Sequence, residues 1–355
     1  MGRWNSSIRG RSRMKRTGSV YLIVFSLLLV TSTLSVGMGA VTIPAATILR
    51  ILAAQWPGSS IIPDWPAAFT TILMQVRLPH TVLIALTGAA LAGSGAAYQG
   101  LFRNPLADPY LIGVASGAGL GAVVALSFEW SSNPLGMYFI PAAAFLGALV
   151  TVVLVYNLAR VNGYVPLTTL ILAGVAVGAF ASAATSFLML RSSEMVTRAL
   201  SFLLGGSPVN GWEPVFATLP YFAIGLGLLA LSGHPLNVLQ FGEEQARQMG
   251  LNVDRAKVFI VVVASLTTAV AVAFSGVIGF IGLIVPHLFR ILWGPDYRHL
   301  IPMSILGGAA ALLLADIGAR LIIAPQSLPV GIVTAMIGAP FFLWILRRAK
   351  REVLW

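Results

Sequence analysis

The sequence contains one pair of oppositely charged residues inside an apolar segment whose spacing would let them interact. Asp316 and Arg320 are four residues apart in the stretch LLADIGARL, so a helix would place both side chains on one face. Burying either charge in apolar surroundings is costly unless the charge has a partner. The spacing therefore predicts an ion pair. Two roles stay open, a structural pair or a docking or transport role for Arg320.

Residues that could bind a metal or a nucleotide are not arranged for it. The four histidines are His80, His234, His287 and His299. They have no metal-ligand spacing, and cysteine is absent, so no metal site is predicted. Each of the three lysines lacks the glycine-rich lead of a phosphate-binding loop. The sequence predicts no catalytic residue, no cofactor and no ATPase site in this chain.

The most compact polar island is the stretch GEEQARQMGL, which begins at Gly242. Gly242 and Gly250 bracket good helix formers, with glutamates first and Arg247 later, as a helix dipole prefers. Glycine at both ends permits a sharp entry and exit. The stretch predicts a short, solvent-facing helix that is either a plain loop helix or a docking surface for a soluble partner.

Composition places these residues in a membrane protein. The 355 residues are 57% hydrophobic and 9% charged, and the mean hydropathy is +0.89, which is too apolar for a water-soluble domain. The apolar runs are continuous, and each approaches the roughly 20 residues that a helix needs to cross a bilayer. We predict an all-α polytopic membrane protein with about ten transmembrane helices. The predicted spans are 20–41, 69–102, 108–128, 138–160, 169–191, 213–232, 257–275, 276–293, 302–324 and 329–347.

The basic residues predict the orientation of these spans. The formal net charge is +11, and lysine and arginine collect in loops that stay on the cytoplasmic side. This rule predicts a basic cytoplasmic N-terminal tail (1–19), one membrane domain (20–348) and a cytoplasmic C-terminal tail (349–355). It explains the net charge without a nucleic-acid partner. GEEQARQMGL then lies in the largest cytoplasmic loop, about 233–256.

Proline marks two further turns on the predicted cytoplasmic side. They are Asn104-Pro105-Leu106-Ala107-Asp108-Pro109 and Pro166-Leu167-Thr168-Thr169. Proline stops a helix and preorganises re-entry, so the residues alone predict ordinary caps. On the outer side, the loop 42–68 is predicted to be irregular because it contains Pro57-Gly58 and Pro63. The segment 192–206 is predicted to contain a short helix.

Six stretches, in order along the chain, together resemble the permease subunits of ABC importers for iron-siderophore, haem and cobalamin, the FecCD-type (type II) importers. They are VRLPHTVLIALTGAALAGSGAAYQGLFRNPLADPYLIG, TLILAGVAVGAF, FGEEQARQMGL, GFIGLIVPHLFRILWGPDYRHLIP, LLADIGARL and LPVGIVTAMIGAPFFLWILRR. The resemblance runs from about residue 69 to 348. It implies a ten-span permease domain in a bacterial plasma membrane that imports an iron chelate or haem, or alternatively cobalamin.

The resemblance also implies partners. A second permease copy would complete the pathway, two cytoplasmic ATPase subunits would bind ATP and Mg, and an extracytoplasmic binding protein would deliver cargo. This subunit would itself carry no ATPase site. Alternating access, driven by the ATPase pair, would move the cargo without covalent chemistry in this chain.

The resemblance assigns three sets of residues. The ATPase-coupling set is Gly242, Glu243, Glu244, Ala246, Arg247 and Gly250. The cytoplasmic gate set is Asn104, Pro105, Leu106, Leu167 and Thr168. The binding-protein docking set is Arg77, His80 and Arg320. The family commonly has an arginine where this chain has His80, a departure that weakens the docking analogy there and suggests pH-sensitive docking.

Two other classes of protein are alternatives. An ion-coupled secondary transporter would carry several ionisable groups at mid-membrane, and this chain offers little beyond Asp316. An integral membrane enzyme would need convergent catalytic groups or metal ligands, and none is evident. Copurification with an ATPase separates the importer from both.

Overall fold

The computed structural model describes residues 4–39, 41–59, 61–128, 136–161, 165–190, 193–206 and 211–352. The α-helices are α1 (Trp4–Gly37), α2 (Ala45–Ala54), α3 (Ala67–Thr71), α4 (Leu78–Leu101), α5 (Val114–Leu126), α6 (Gly136–Leu158), α7 (Leu167–Met189), α8 (Ser193–Leu203), α9 (Trp212–Leu231), α10 (Gly233–Leu239), α11 (Glu243–Gln248), α12 (Val253–Ser275), α13 (Ile281–Trp293), α14 (Tyr297–Leu321) and α15 (Val330–Glu352). A π-helical segment (Ile72–Arg77) joins α3 to α4, and a 3-10 helix (Pro109–Ile112) precedes α5.

Seven helical segments of the described chain are long and apolar enough to cross a membrane. They are Gly18–Gly37, Ala67–Leu101, Tyr138–Leu158, Leu167–Met189, Trp212–Leu231, Val253–Ser275 and Tyr297–Leu321. The shorter apolar helices α5 and α13 and the apolar part of α15 occupy the remaining predicted spans. The predicted all-α membrane fold with about ten membrane segments is confirmed.

The segment Ala67–Leu101 is the most buried of these spans, and it packs against α9, α12, α13 and α14. Small residues permit this packing because they let helix backbones approach closely. A methyl group at Gly88 would overlap the carbonyl oxygen of Gly308 in α14. A methyl group at Gly95 would overlap that of Gly282 in α13. Glycines in both partners therefore set the distances between these helices.

Two of the predicted spans are broken rather than continuous helices. The predicted span 108–128 starts with the 3-10 helix, and 276–293 starts with non-helical residues before α13. α5 and α13 have 13 residues each, which is roughly 20 Å of helix and less than the hydrocarbon thickness. The Tyr110 hydroxyl donates to the carbonyl of Ile278 (2.9 Å) and accepts from its amide (3.2 Å). The Tyr110 side chain thus satisfies both backbone groups of Ile278 within the second break, as a membrane interior requires.

The loop 42–68, which was predicted to be irregular, contains a helix. Pro44 precedes α2, in which Ile51 is buried while Leu49 is exposed. Arg50 of α2 pairs with Asp64 at 2.8 Å, and this hydrogen bond lowers the pKa of the Asp64 carboxyl. The prolines that suggested irregular chain bound the helix instead of preventing it. α8 is the short helix predicted within 192–206.

Candidate functional site

The polar island forms α11, with glycine at each end. Gly242 precedes the helix at φ +106°, and Gly250 follows it at φ +86°, a region that residues with a Cβ rarely adopt. On the inner face of α11, Ala246 is fully buried, whereas Glu244 and Arg247 on the other face are exposed. α11 therefore packs on the protein through Ala246 and exposes charged side chains on its other face.

Two ion pairs hold α11 to the start of α12. Lys257 Nζ lies 2.6 Å from Glu243 Oε1. Arg247 Nη2 donates to both carboxylate oxygens of Asp254, at 3.2 and 3.0 Å. Both ends of α11 are therefore in contact with the first residues of a membrane-spanning helix.

A second connection, which the sequence did not reveal, joins α10 to α14. Asn237 donates to Asp296 Oδ1 (2.6 Å) and accepts from the amide of Tyr297 (2.8 Å). Burial opposes ionisation of Asp296, but the hydrogen bonds from Asn237 and the Arg298 amide outweigh it and lower the pKa of this carboxyl. Arg298 also lies 2.7 Å from His234 Nδ1. The helix before α11 is thus fixed to the N-terminus of another span.

The first predicted gate turn is Asn104-Pro105-Leu106. The Asn104 side-chain oxygen accepts a hydrogen bond from the backbone amide of Leu106 (2.9 Å). The backbone amide of Asn104 donates to the carbonyl of Gln99 (3.1 Å). Arg103, just before it, has φ +50° and directs its guanidinium towards Gly242. Asn104 and Pro105 are exposed.

The second predicted gate turn begins α7. Thr169 Oγ1 donates to the carbonyl of Ala159 (3.0 Å), which ties this turn to the end of α6. Thr168 is exposed, and Leu167 lines a cleft of about 570 Å³ between this turn and the start of α12. Within one chain, the Arg103 guanidinium therefore reaches the residue before α11, and the Leu167 turn shares a cleft with the start of α12.

At the opposite end of α14, the structure brings Asp316, Arg320 and His80 together. Arg320 Nη2 lies 2.9 Å from Asp316 Oδ2, and His80 Nε2 lies 2.8 Å from Asp316 Oδ1. Asp316 is buried. Its carboxylate is therefore poorly solvated and depends on these two neighbours for stabilisation. The four-residue spacing in the sequence does produce a contact between the two charges.

The two arginines predicted to dock a binding protein are turned towards the C-terminal end of α1. Arg77 donates to the carbonyls of Val36 and Gly37, both at 3.1 Å, and Arg320 donates to those of Ser35 (3.1 Å) and Met38 (3.0 Å). These carbonyls have no partner within the helix, and their partial negative charge attracts cations.

Arg77 retains 5% of its surface exposure, so its guanidinium serves the helix end rather than solvent. The sequence predicted an outward-facing Arg77, whereas its guanidinium points to the end of α1. A cleft of about 500 Å³ opens beside the cluster and is lined by Arg77, His80, Asp316 and Arg320.

Together these features define a class of protein. Broken helices packed inside a polytopic bundle, with a short polar helix tied to the spans, are features of a membrane transporter subunit. The sequence pattern of the FecCD transport family matches residues 27–348, and the chain belongs to this family.

Similar proteins have the same class of function. The uncharacterized ABC transporter permease protein YvrB of Bacillus subtilis is 43% identical, over 94% of each chain. The cobalamin import system permease protein BtuC of Halobacterium salinarum is 45% identical over 84% of this chain and 80% of its own. The hemin transport system permease protein HmuU of Yersinia pestis is 38% identical over 92% of this chain and 94% of its own.

A solved structure, described as an inward-facing conformation of a metal-chelate type ABC transporter, has a TM-score of 0.78 and 29% identity. The match covers 93% of this chain and 99% of that one. The chain is therefore a membrane-embedded permease of an ABC importer that works with ATPase partners. The type II permease fold predicted from the sequence is confirmed.

Proposed function

We propose that this permease moves an iron chelate or haem inward across the bacterial plasma membrane. The observation that carries the proposal is α11, a charged helix anchored to α12 by two ion pairs in a chain of the FecCD transport family. The names of the haemin permease relative and the metal-chelate transporter structure support this cargo. Cobalamin is the second candidate because the cobalamin permease relative is 45% identical.

In this proposal, α11 receives the motion of the ATPase subunits, which bind ATP and Mg. The six residues that the resemblance assigns to coupling have different parts in this contact. Glu244 and Arg247 are exposed to the ATPase, and the buried Ala246 anchors the helix. Both termini and α11 lie in the cytoplasm. The basic tails and the even number of membrane segments support this orientation.

The gate and the second permease copy belong together in the proposal. The exposed face of α7 carries large apolar side chains, among them Leu172, Val175 and Phe180. We assign this face to the pathway and to the contact with an identical second copy. The turns at Asn104 and at Leu167-Thr168 then close the cytoplasmic end.

In the proposal, the cluster of Arg77, His80, Asp316 and Arg320 docks the extracytoplasmic binding protein. Its cleft contains two guanidinium groups and one buried carboxylate, so carboxylates on the binding protein suit it. Because Arg77 and Arg320 already bind α1 carbonyls, an incoming carboxylate has to share them or to replace those contacts.

The experiment is mass spectrometry of the complex extracted in mild detergent with its cargo retained. The proposal predicts two permease copies, two ATPase copies and an iron chelate or haem. A retained cobalamin would select the second candidate. A permease that never copurifies with an ATPase under conditions that preserve its fold would contradict the coupling role of α11.

A further inference from the structure

The cleft between the end of α6 and the start of α12 has basic side chains at its rim. Arg160, Arg255 and Lys257 line it, together with Asp254 and Tyr156. Lys257 is paired with Glu243, and Asp254 with Arg247. Among the residues that the structure describes, neither Arg160 nor Arg255 forms an ion pair, and both are exposed. Two positive charges are thus left uncompensated.

The cleft continues into an apolar surface along the membrane-spanning part of α12. Three large apolar side chains of this helix line the cleft and remain partly exposed. They are Val258, Phe259 and Val262. A basic pocket at the boundary and an apolar strip leading from it match the two halves of a phospholipid.

We propose that this cleft binds one anionic phospholipid. Arg160 and Arg255 hold the phosphate, and the acyl chains lie along the apolar strip of α12. The positive charge of the cleft favours an anionic lipid over a zwitterionic one. The apolar strip favours a lipid over a soluble phosphate. The inference rests on the proposed orientation, in which this end of α12 lies at the cytoplasmic leaflet.

The site lies beside the coupling contacts. Asp254 and Lys257 line the cleft and also hold α11 through Arg247 and Glu243. A phosphate beside Lys257 competes with the Glu243 carboxylate for the same ammonium group. Bound lipid therefore changes how firmly α11 is held, and the charge of the inner leaflet adjusts the coupling between ATPase and permease.

The test is native mass spectrometry of the delipidated complex mixed with phosphatidylglycerol and phosphatidylcholine in equal amounts. The wild type is expected to retain phosphatidylglycerol preferentially. The R160Q/R255Q variant should bind it roughly 30-fold more weakly, since each basic residue contributes about 1 kcal/mol near an anionic headgroup. The R347Q variant is the matched control because Arg347 is exposed on α15 and does not line the cleft.

Three results would overturn the proposal. They are equal retention of the two lipids by the wild type, unchanged phosphatidylglycerol binding by R160Q/R255Q, and equally tight binding of soluble glycerophosphoglycerol. If the double variant does not fold, Val262→Asp serves instead, because Val262 lines the cleft and a negative charge there should repel the same lipid. Counting bound lipids requires no transport, so this outcome is independent of the cargo proposal.

Discussion

Lys257 Nζ lies 2.6 Å from Glu243 Oε1, and this ion pair joins the start of α12 to the start of α11. The Arg247 to Asp254 pair makes a second connection at the other end of α11. The two pairs attach α11 to the start of α12 near both of its ends. The exposed side of the helix is left available for the ATPase.

The first prediction concerns that exposed side. Glu244→Arg reverses a charge that is exposed on α11, so we expect at least a tenfold loss of ATP-driven uptake. The stability should change by less than about 0.5 kcal/mol because the site is on the surface. Uptake and thermal unfolding are measured on the same reconstituted complex. Arg347→Glu is the control for charge reversal outside α11, and equal uptake by the two variants would argue against the coupling surface.

The second prediction concerns helix packing. Gly88→Ala places a methyl group against the Gly308 carbonyl, where α4 meets α14, and overpacking of this kind costs about 1–3 kcal/mol. Gly227→Ala in α9 is the matched control because no atom lies within 4 Å of the new methyl group. Thermal unfolding in detergent should show a lower Tm for the first variant only. A similar Tm for both would contradict the close approach of α4 and α14.

The third prediction compares two Asp–Arg pairs. Asp316→Asn removes the negative charge from a buried pair and should destabilise the protein by about 3 kcal/mol, because Arg320 loses its charged partner. Asp64→Asn breaks the pair with Arg50 on the surface and should lower the stability far less, because solvent screens an exposed ion pair. Thermal unfolding measures both. Equal costs would show that the Asp316 cluster is well solvated.

The fourth prediction concerns docking. Arg320→Glu should weaken capture of the binding protein, and more so at low salt than at high salt, because charge attraction is screened by ions. Ser35→Ala is the control. It removes a hydrogen bond that Arg320 donates at 2.8 Å but keeps the guanidinium charge.

Capture is measured with immobilised permease complex over a range of salt concentrations. Ser35→Ala should bind the partner nearly as well as the wild type does. If both variants lose capture equally and without salt dependence, Arg320 acts by holding α1 rather than by docking.

The features that the sequence predicted share a physical basis. Membrane spans follow from continuous apolar runs, and α11 follows from local polarity between two glycines. The contact between Asp316 and Arg320 follows from helical spacing. Each of these depends on residues that are close together in the chain.

The features that were missed depend on residues far apart in the chain. Nothing near Tyr110 indicates that its hydroxyl binds the backbone of Ile278. Nothing near Asn237 indicates its contact with Asp296. The direction of Arg77 was missed for the same reason, since the carbonyls that it binds belong to α1. Apolar patterning locates a span but does not say which partner satisfies its polar groups.

The most direct test of the central claim is uptake by liposomes that contain the purified permease, with and without its ATPase subunits. We predict uptake of the cargo only when the ATPase, hydrolysable ATP and the loaded binding protein are all present. Accumulation by the permease alone, driven by an ion gradient and without nucleotide, would contradict the account.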